Sequence, residues 1–181
     1  MKRPQSRTYR GLTRDQVEEV IKSSRGRKEP PHLSGKRMWA DYSGLDFTSE
    51  YESTFGPFTS EILGADFRHA KLTCCNLSRA DLASACLRRA ILRGANLVEA
   101  NLYSALLESA DLTEADLRFS NLQSAELQSV VVEGANFSGA RFGYTAIGGV
   151  DLSGALGLDE AMHRNPSPIG GDTLQDRKSV V

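Results

Sequence analysis

The stretch ANLVEANLYSALLESADLTEADL, residues 95–117, decides the fold, because it repeats every five residues. Each unit opens with alanine, continues in most copies with asparagine or aspartate, has leucine third and ends with two variable residues. An internal repeat of this regularity governs the architecture of the whole domain in which it occurs.

The register extends from this stretch in both directions and covers 18 consecutive units. The first position is alanine in 13 units, and the second is aspartate or asparagine in 10 units. The third position is large and apolar in all 18 and is our predicted structural core: Phe67, Leu72, Leu77, Leu82, Leu87, Leu92, Leu97, Leu102, Leu107, Leu112, Leu117, Leu122, Leu127, Val132, Phe137, Phe142, Ile147 and Leu152.

A period of five matches neither the α-helix, with 3.6 residues per turn, nor the strand, with a period of two. A helix with leucine at every fifth position would spread its apolar side chains around the whole surface and would have no core face. A turn every five residues removes this conflict, because the first and third residues of every unit can then face inward.

The pattern A-(D/N)-L-x-x resembles that of the pentapeptide-repeat family. The resemblance implies an all-β fold, a right-handed quadrilateral β-helix with four units per coil. Each coil then holds 20 residues and stacks ~4.8 Å from the next, so the regular tower is roughly 22 Å tall. Stability in such a solenoid is a sum of nearest-neighbour terms, and both ends need caps.

Four parts of the chain follow from this pattern. Residues 62–156 are the predicted solenoid, and residues 157–181, which contain Pro166, Pro168 and paired glycines, are a predicted flexible tail. Residues 38–61 are a predicted irregular N-terminal coil or cap. There, Tyr42, Phe47 and Ile62 keep the count of five, whereas Glu52 and Pro57 fall on the slots between them.

Residues 1–37 form a basic arm with one amphipathic helix over about residues 13–23. Thr13 and Gln16 have the spacing of a capping box, and Val17, Val20 and Ile21 form an apolar stripe. Two alternatives are open for this helix, which either caps the solenoid or swings free of it.

The charge of the chain is polarised. The arm holds 11 Lys/Arg and 4 Asp/Glu, a balance of +7, whereas residues 62–155 hold 8 basic and 10 acidic residues, a balance of −2. The arm is therefore the candidate for binding nucleic acid or an acidic partner. A solvated tail without a partner is the favoured interpretation, since Tyr9 is the only aromatic residue there.

Neither a signal peptide nor a run of 18 apolar residues occurs in the sequence, which predicts a cytoplasmic protein without a membrane span. We find no motif for a catalytic, cofactor-binding or metal site and predict none. Cys74, Cys75 and His69 are close in sequence, but Cys75 is an inward residue and Cys74 an outward one. A zinc site needs four convergent ligands.

The second-position residues divide the solenoid into two kinds of side. Aspartate and asparagine recur on two sides, where we expect them to bond the backbone at each turn rather than to form an acidic binding surface. The other two sides break the rule and combine arginine with apolar residues. The candidate partner surface there consists of Arg68, Arg88, Arg89, Ile91, Arg93, Leu106 and Val131. Decay of the repeat with ordinary surface charges explains the same residues equally well.

Three functions remain, and an enzyme is the least favoured class. The first is a non-enzymatic protein-interaction or scaffolding module, with a partner protein of unknown identity and an unknown oligomeric state. The second follows from the resemblance, because some pentapeptide-repeat proteins mimic DNA and protect topoisomerases. The charge balance of only −2 over residues 62–155 argues against that role. The third is a module of a larger effector, because residues 157–174 resemble a segment that joins the repeats to a further domain in some bacterial proteins.

Overall fold

The computed structural model describes residues 12–27, 31–34, 36, 42, 45 and 64–163. Its regular elements are the helix α1, Arg14–Arg27, and two short strands, β1 at Arg141–Phe142 and β2 at Met162–His163. The two strands pair in parallel, with Arg141 opposite Met162 and Phe142 opposite His163. No helix in the described part of the chain has the length and apolar character to cross a membrane.

Most of the pairing between coils consists of isolated parallel bridges rather than of continuous strands. Asp66 pairs with Cys86, Cys86 with Leu106, and Leu106 with Glu126, so that each bridge spans four pentads. One coil therefore holds four units. The prediction of a repeat solenoid with an N-terminal helix is confirmed. Its all-β description is too strong, because the described residues contain two strands of two residues each and otherwise pair through isolated bridges.

We number the four sides of the solenoid by their third-position residues. Side 1 carries Phe67, Leu87, Leu107, Leu127 and Ile147; side 2 carries Leu72, Leu92, Leu112, Val132 and Leu152; side 3 carries Leu77, Leu97, Leu117 and Phe137; side 4 carries Leu82, Leu102, Leu122 and Phe142. Sides 2 and 4 are opposite each other.

Backbone hydrogen bonds both close each turn and join each coil to the next. Around Leu97, its N–H donates to Asp116 O of the next coil at 2.7 Å, and its carbonyl accepts from Ala100 N at 3.0 Å. The residue two positions after the core residue takes a left-handed conformation, as Glu99 does with φ of 59°. This conformation turns the chain from one side to the next.

The core consists of the first and third residues of the pentads, as the sequence predicts. Of the 18 predicted core residues, 17 are at most 9% exposed, from Phe67 to Ile147. Leu152 is half-buried; it lies in the last coil of the described residues, where no described residue stacks above it. The small first-position residues, including Cys75 and Thr145, are buried as well.

Helix α1 covers the N-terminal end of the solenoid. Thr13 N donates to Gln16 Oε1 at 2.9 Å, and Gln16 N donates to Thr13 Oγ1 at 3.3 Å, which is a complete capping box. Val17 and Ile21 are buried in the same hydrophobic cluster as the solenoid core. The helix is therefore a cap, and it ends at Arg27, four residues beyond the predicted end.

The first coil does not continue the predicted count of five. In the regular coils each core N–H bonds the next coil, as Leu77 N does by donating to Asn96 O. Tyr42 N instead donates to Asn76 O, well beyond the length of one regular coil, and Tyr42 therefore lies directly beneath Leu77. The Leu45 carbonyl likewise accepts from Asp81 N, 36 residues further along the chain. Phe47, Glu52, Pro57 and Ile62 lie outside the described residues.

At the C-terminal end the coil continues into the predicted tail. Leu156 pairs with Asn136, and strand β2 pairs with β1. The His163 ring stacks on the Phe142 ring, with centroids 5.4 Å apart and planes at 11°. Residues 157–163 thus form part of a further coil, and residues 164–181 lie outside the described residues.

Two buried hydroxyl groups in the core differ in hydrogen bonding, and their removal should therefore change the stability in opposite directions. Ser120 is 0% exposed, and its Oγ has no partner within the described part of the chain. Thr145 Oγ1 donates to Leu122 O at 2.8 Å and accepts from Gly143 N at 3.1 Å. We expect Ser120→Ala to raise the free energy of unfolding by about 1 kcal/mol and Thr145→Val to lower it by about 1–3 kcal/mol. Urea denaturation of both variants checks this, and changes of the same sign would contradict it.

Candidate functional site

In each pentad one backbone N–H points outward, at the residue after the core residue. The aspartate or asparagine in second position accepts it, as Asn96 Oδ1 does from Val98 N at 3.1 Å. All ten Asp/Asn residues make this bond, at 2.9–3.3 Å: Asp66, Asn76, Asp81, Asn96, Asn101, Asp111, Asp116, Asn121, Asn136 and Asp151. Their predicted structural role is confirmed.

Among the 18 regular pentads, the outward N–H groups that lack such a cap are confined to sides 1 and 2; in the further coil, Leu158 N on side 3 also lacks one. Where Arg141 replaces the asparagine on side 4, Thr145 Oγ1 accepts from Gly143 N instead. In the remaining pentads the N–H has no acceptor within the described part of the chain: Thr73, Arg88, Arg93, Glu108, Gln128, Glu133 and Gly148. We call these seven groups the open donors.

Side 1 carries four open donors on four successive coils. They belong to Arg88, Glu108, Gln128 and Gly148, and consecutive coils lie ~4.8 Å apart. The second-position residues beside them are Cys86, Leu106, Glu126 and Ala146, which cannot cap or do not cap the turn. Side 1 therefore presents a column of donors that water or a partner has to satisfy.

The predicted partner-surface residues lie on these same two sides. Arg68, Arg88, Arg89 and Leu106 are on side 1, and Ile91, Arg93 and Val131 are on side 2. The four arginines are exposed, Ile91 and Leu106 are half-buried, and Val131 is 50% exposed.

The arginines of this surface are largely neutralised by neighbouring carboxylates. Arg68 Nη2 is 2.8 Å from Asp66 Oδ2, and Arg93 Nε is bonded to Asp111. Arg88 lies between two acids, with Nε 3.3 Å from Glu108 Oε2 and Nη2 3.5 Å from Glu126 Oε2.

Arg89 is the exception, because it has no ion pair among the described residues. The surface is consequently not a strongly basic patch, which the sequence alone did not reveal. The bond between Arg88 and Glu108 also shows that residues one coil apart stack on one side.

Arg88 and Arg89 form a matched pair for testing these contacts. We expect Arg88→Asp to lower the free energy of unfolding by about 1 kcal/mol, because it replaces two attractions with repulsion between three carboxylates. Arg89→Asp should change it by less than about 0.5 kcal/mol. Thermal melts at low and high salt check this, and the Arg88 effect should shrink as salt screens the charges. Equal effects for both variants would count against the ion pairs.

Hydrogen bonds from Arg68 hold the pKa of Asp66 below its usual range, despite opposing desolvation. A carboxyl with a lowered pKa stabilises the fold above the unfolded value, 3.8, and this contribution is lost as the pH falls through the folded value. We therefore expect Asp66→Asn to lower the melting temperature at neutral pH. The difference from the unchanged protein should close below pH 3.8. A difference that stays constant down to acid pH would show that ionisation of Asp66 does not contribute.

Cys74, Cys75 and Cys86 show no arrangement for metal binding. Cys75 is buried, and burial raises the pKa of its thiol to about 12, while Cys74 is exposed. Within the described ranges no group of three His, Cys, Asp or Glu residues could hold a metal ion.

Coils of four pentads, an apolar filling and aspartate or asparagine caps define a repeat solenoid. The model of the family described as "Pentapeptide repeats" matches in eight copies, over residues 63–98, 100–139 and 118–154. The chain belongs to the pentapeptide-repeat family. No curated protein matches it.

Several solved structures are similar to the chain. A pentapeptide repeat protein from the thylakoid lumen of Arabidopsis thaliana is 32% identical over 55% of this chain and 70% of that chain, with a TM-score of 0.38. A second, Rfr23 from the cyanobacterium Cyanothece 51142, is 25% identical over 85% and 99%, with a TM-score of 0.36. The plasmid-mediated fluoroquinolone resistance protein QnrB1 is 18% identical over 74% and 77%, with a TM-score of 0.37.

Proposed function

We propose that this protein is a non-enzymatic interaction module that binds a partner protein through sides 1 and 2. The observation that carries the proposal is that, within the 18 regular pentads, all seven open donors lie on these two adjacent sides. In this proposal the right-handed, four-sided coil is a rigid support with flat sides, and we infer no catalytic activity for it.

The apolar residues on these sides support the proposal. Leu106, Ile91 and Val131 occupy positions where sides 3 and 4 carry capping residues. At each of these positions an apolar residue stands in place of a capping residue, so that a cap is missing and apolar surface is present at the same place. A partner that covers this surface gains apolar contact and can supply acceptors for the open donors.

The charge of the surface favours a partner that is not strongly charged. Since Arg68, Arg88 and Arg93 are already paired, an acidic partner would have to compete with Asp66, Glu108 and Asp111. A DNA mimic is not favoured, because residues 62–155 have a charge balance of only −2. The alternative role as a module of a larger effector, the solvated N-terminal arm without a partner and the cytoplasmic location stay predictions.

The decisive experiment restores the missing caps. Leu106→Asn combined with Ala146→Asn should restore two caps. The new amide at position 106 should accept from Glu108 N and the one at position 146 from Gly148 N, as Asn96 accepts from Val98 N. We expect the variant to be more stable and to capture less of the partner from the native cell, measured by quantitative mass spectrometry.

Leu106→Ala with Ala146 unchanged is the control, since it removes apolar surface but leaves the donors open. It should weaken capture less than the capped variant does. Capture that is unchanged by the caps, or changed equally by substitutions on side 3, would contradict binding through sides 1 and 2.

A further inference from the structure

Side 4 differs from the other three sides in its lack of charge. Between residues 80 and 144 its charged residues are Asp81 in the lowest regular coil and Arg141 in the fourth. The two coils between them carry only uncharged polar and aromatic residues on the outside: Asn101, Tyr103, Ser104, Asn121, Gln123 and Ser124. Side 4 thus presents a neutral strip rich in amide, hydroxyl and phenol groups.

Hydrogen bonds of the asparagine and aspartate side chains join the coils of this strip and cap its backbone. Asn101 Nδ2 donates to Asp81 Oδ1 at 2.9 Å, and Asn121 Nδ2 donates to Asn101 Oδ1 at 3.1 Å, so the side chains form a ladder across three coils. Every outward N–H of side 4 is capped, including that of Gly143. Side 4 therefore differs from sides 1 and 2, because a ligand would meet side chains there rather than open backbone donors.

Two tyrosines stand out from the strip. Tyr103 is 47% exposed and Tyr144 is 62% exposed. Tyr103 and Gly143 hold the same pentad position two coils apart, and Tyr144 directly follows Gly143. The two tyrosines are therefore separated by roughly 10 Å along the solenoid axis. Gln123 lies in the coil between them. Tyr144 has φ of 54°, an uncommon conformation for an aromatic residue outside such a turn.

We propose that side 4 binds a neutral, linear glycan that lies along the solenoid axis. Tyr103 and Tyr144 stack against sugar rings, and the Gln123 amide with the Ser104 and Ser124 hydroxyls bonds the sugar hydroxyls. Side 4 is opposite side 2 and adjoins side 1, so the glycan site neighbours the partner surface of the proposed function but uses different residues.

The chemistry of the strip matches that of a sugar chain. A sugar ring has an apolar C–H face and a rim of hydroxyls, which suits phenol rings interleaved with amides and hydroxyls. The middle coils offer no charge to attract an ion. A strip one side wide covers about 10 Å by 20 Å, far less than the roughly 800 Å² per partner of a stable protein interface. Its long, narrow shape suits a linear chain.

The test is an NMR titration of the full ¹⁵N-labelled chain with cellohexaose and with laminarihexaose, both neutral, and with an oligogalacturonate, which is acidic. We expect at least one neutral glycan to shift the amide signals of side 4 and the acidic one to bind more weakly. Tyr103→Ala and Tyr144→Ala should each weaken binding by roughly three- to tenfold.

Val131→Ala is the matched control, because it removes an exposed apolar side chain from side 2 and should leave glycan binding unchanged. Circular dichroism confirms that each variant is folded. The proposal is overturned if neither neutral glycan binds at millimolar concentration, if the acidic glycan binds more tightly, or if the double tyrosine variant binds as well as the unchanged chain. The capped variant of sides 1 and 2 should still bind the glycan, which separates the failure of either proposal from that of the other.

Discussion

Replacing Leu97 with aspartate is expected to abolish the cooperative fold of the solenoid. Leu97 is 0% exposed, and its N–H is bonded to Asp116 O in the next coil. The substitution buries a carboxylate with no cationic partner and removes the apolar filling of one side. A loss of more than about 4 kcal/mol is expected, comparable with the whole stability of many domains.

Val98→Asp is the control for this substitution, because Val98 is the next residue and faces outward, half-buried. The two variants add the same charge at neighbouring positions and differ only in the direction of the side chain. Circular dichroism and urea denaturation should show Leu97→Asp unfolded or nearly so, and Val98→Asp close to the unchanged protein. A folded Leu97→Asp variant with a normal melting temperature would falsify the inward assignment of the third position.

The second large effect is expected at Gly64, where the first regular coil begins. A Cβ at this position would lie 2.3 Å from the backbone carbon of Ser84 in the next coil. Gly64 N also donates to Ser84 O at 3.2 Å, so the two backbones cannot move apart without losing this bond. We expect Gly64→Ala to lower the free energy of unfolding by about 2–3 kcal/mol, as overpacking against a rigid neighbour does.

Gly26 gives the opposite expectation for the same chemical change. It lies in the last turn of α1, is exposed, and a Cβ there would have no atom within 4 Å. Gly26→Ala should therefore stabilise the protein by up to about 1 kcal/mol, through the higher helix propensity of alanine. Thermal melts of the two variants measure both effects, and a destabilised Gly26→Ala alongside a neutral Gly64→Ala would contradict both packing assignments.

The core could be predicted from the sequence because one rule repeats. Leu97 and its equivalents face inward wherever a coil lies above and below them, and this depends on spacing alone. Leu152 departs from the rule because burial also depends on what lies above the last coil. The period predicts which residues stack, but not where the stack ends.

The first coil could not be predicted from the count of five. Tyr42 keeps the count with Phe47 and Ile62, yet its backbone bonds Asn76, which only the pairing of the coils reveals. The ion pairs of the candidate site were missed for a related reason. Arg88 reaches Glu126, nearly two coils further along the chain, through a long side chain whose direction no pattern of residue types specifies.

The bridges between equivalent residues of successive coils also restrict how such a chain can change its length during evolution. Insertion or deletion of a whole coil keeps every later residue on its side. Loss of a single pentad would instead rotate all later residues by one side, and the donor column of side 1 would break into two misaligned halves. Gene duplication in steps of four pentads is therefore the route by which this surface can grow and remain continuous.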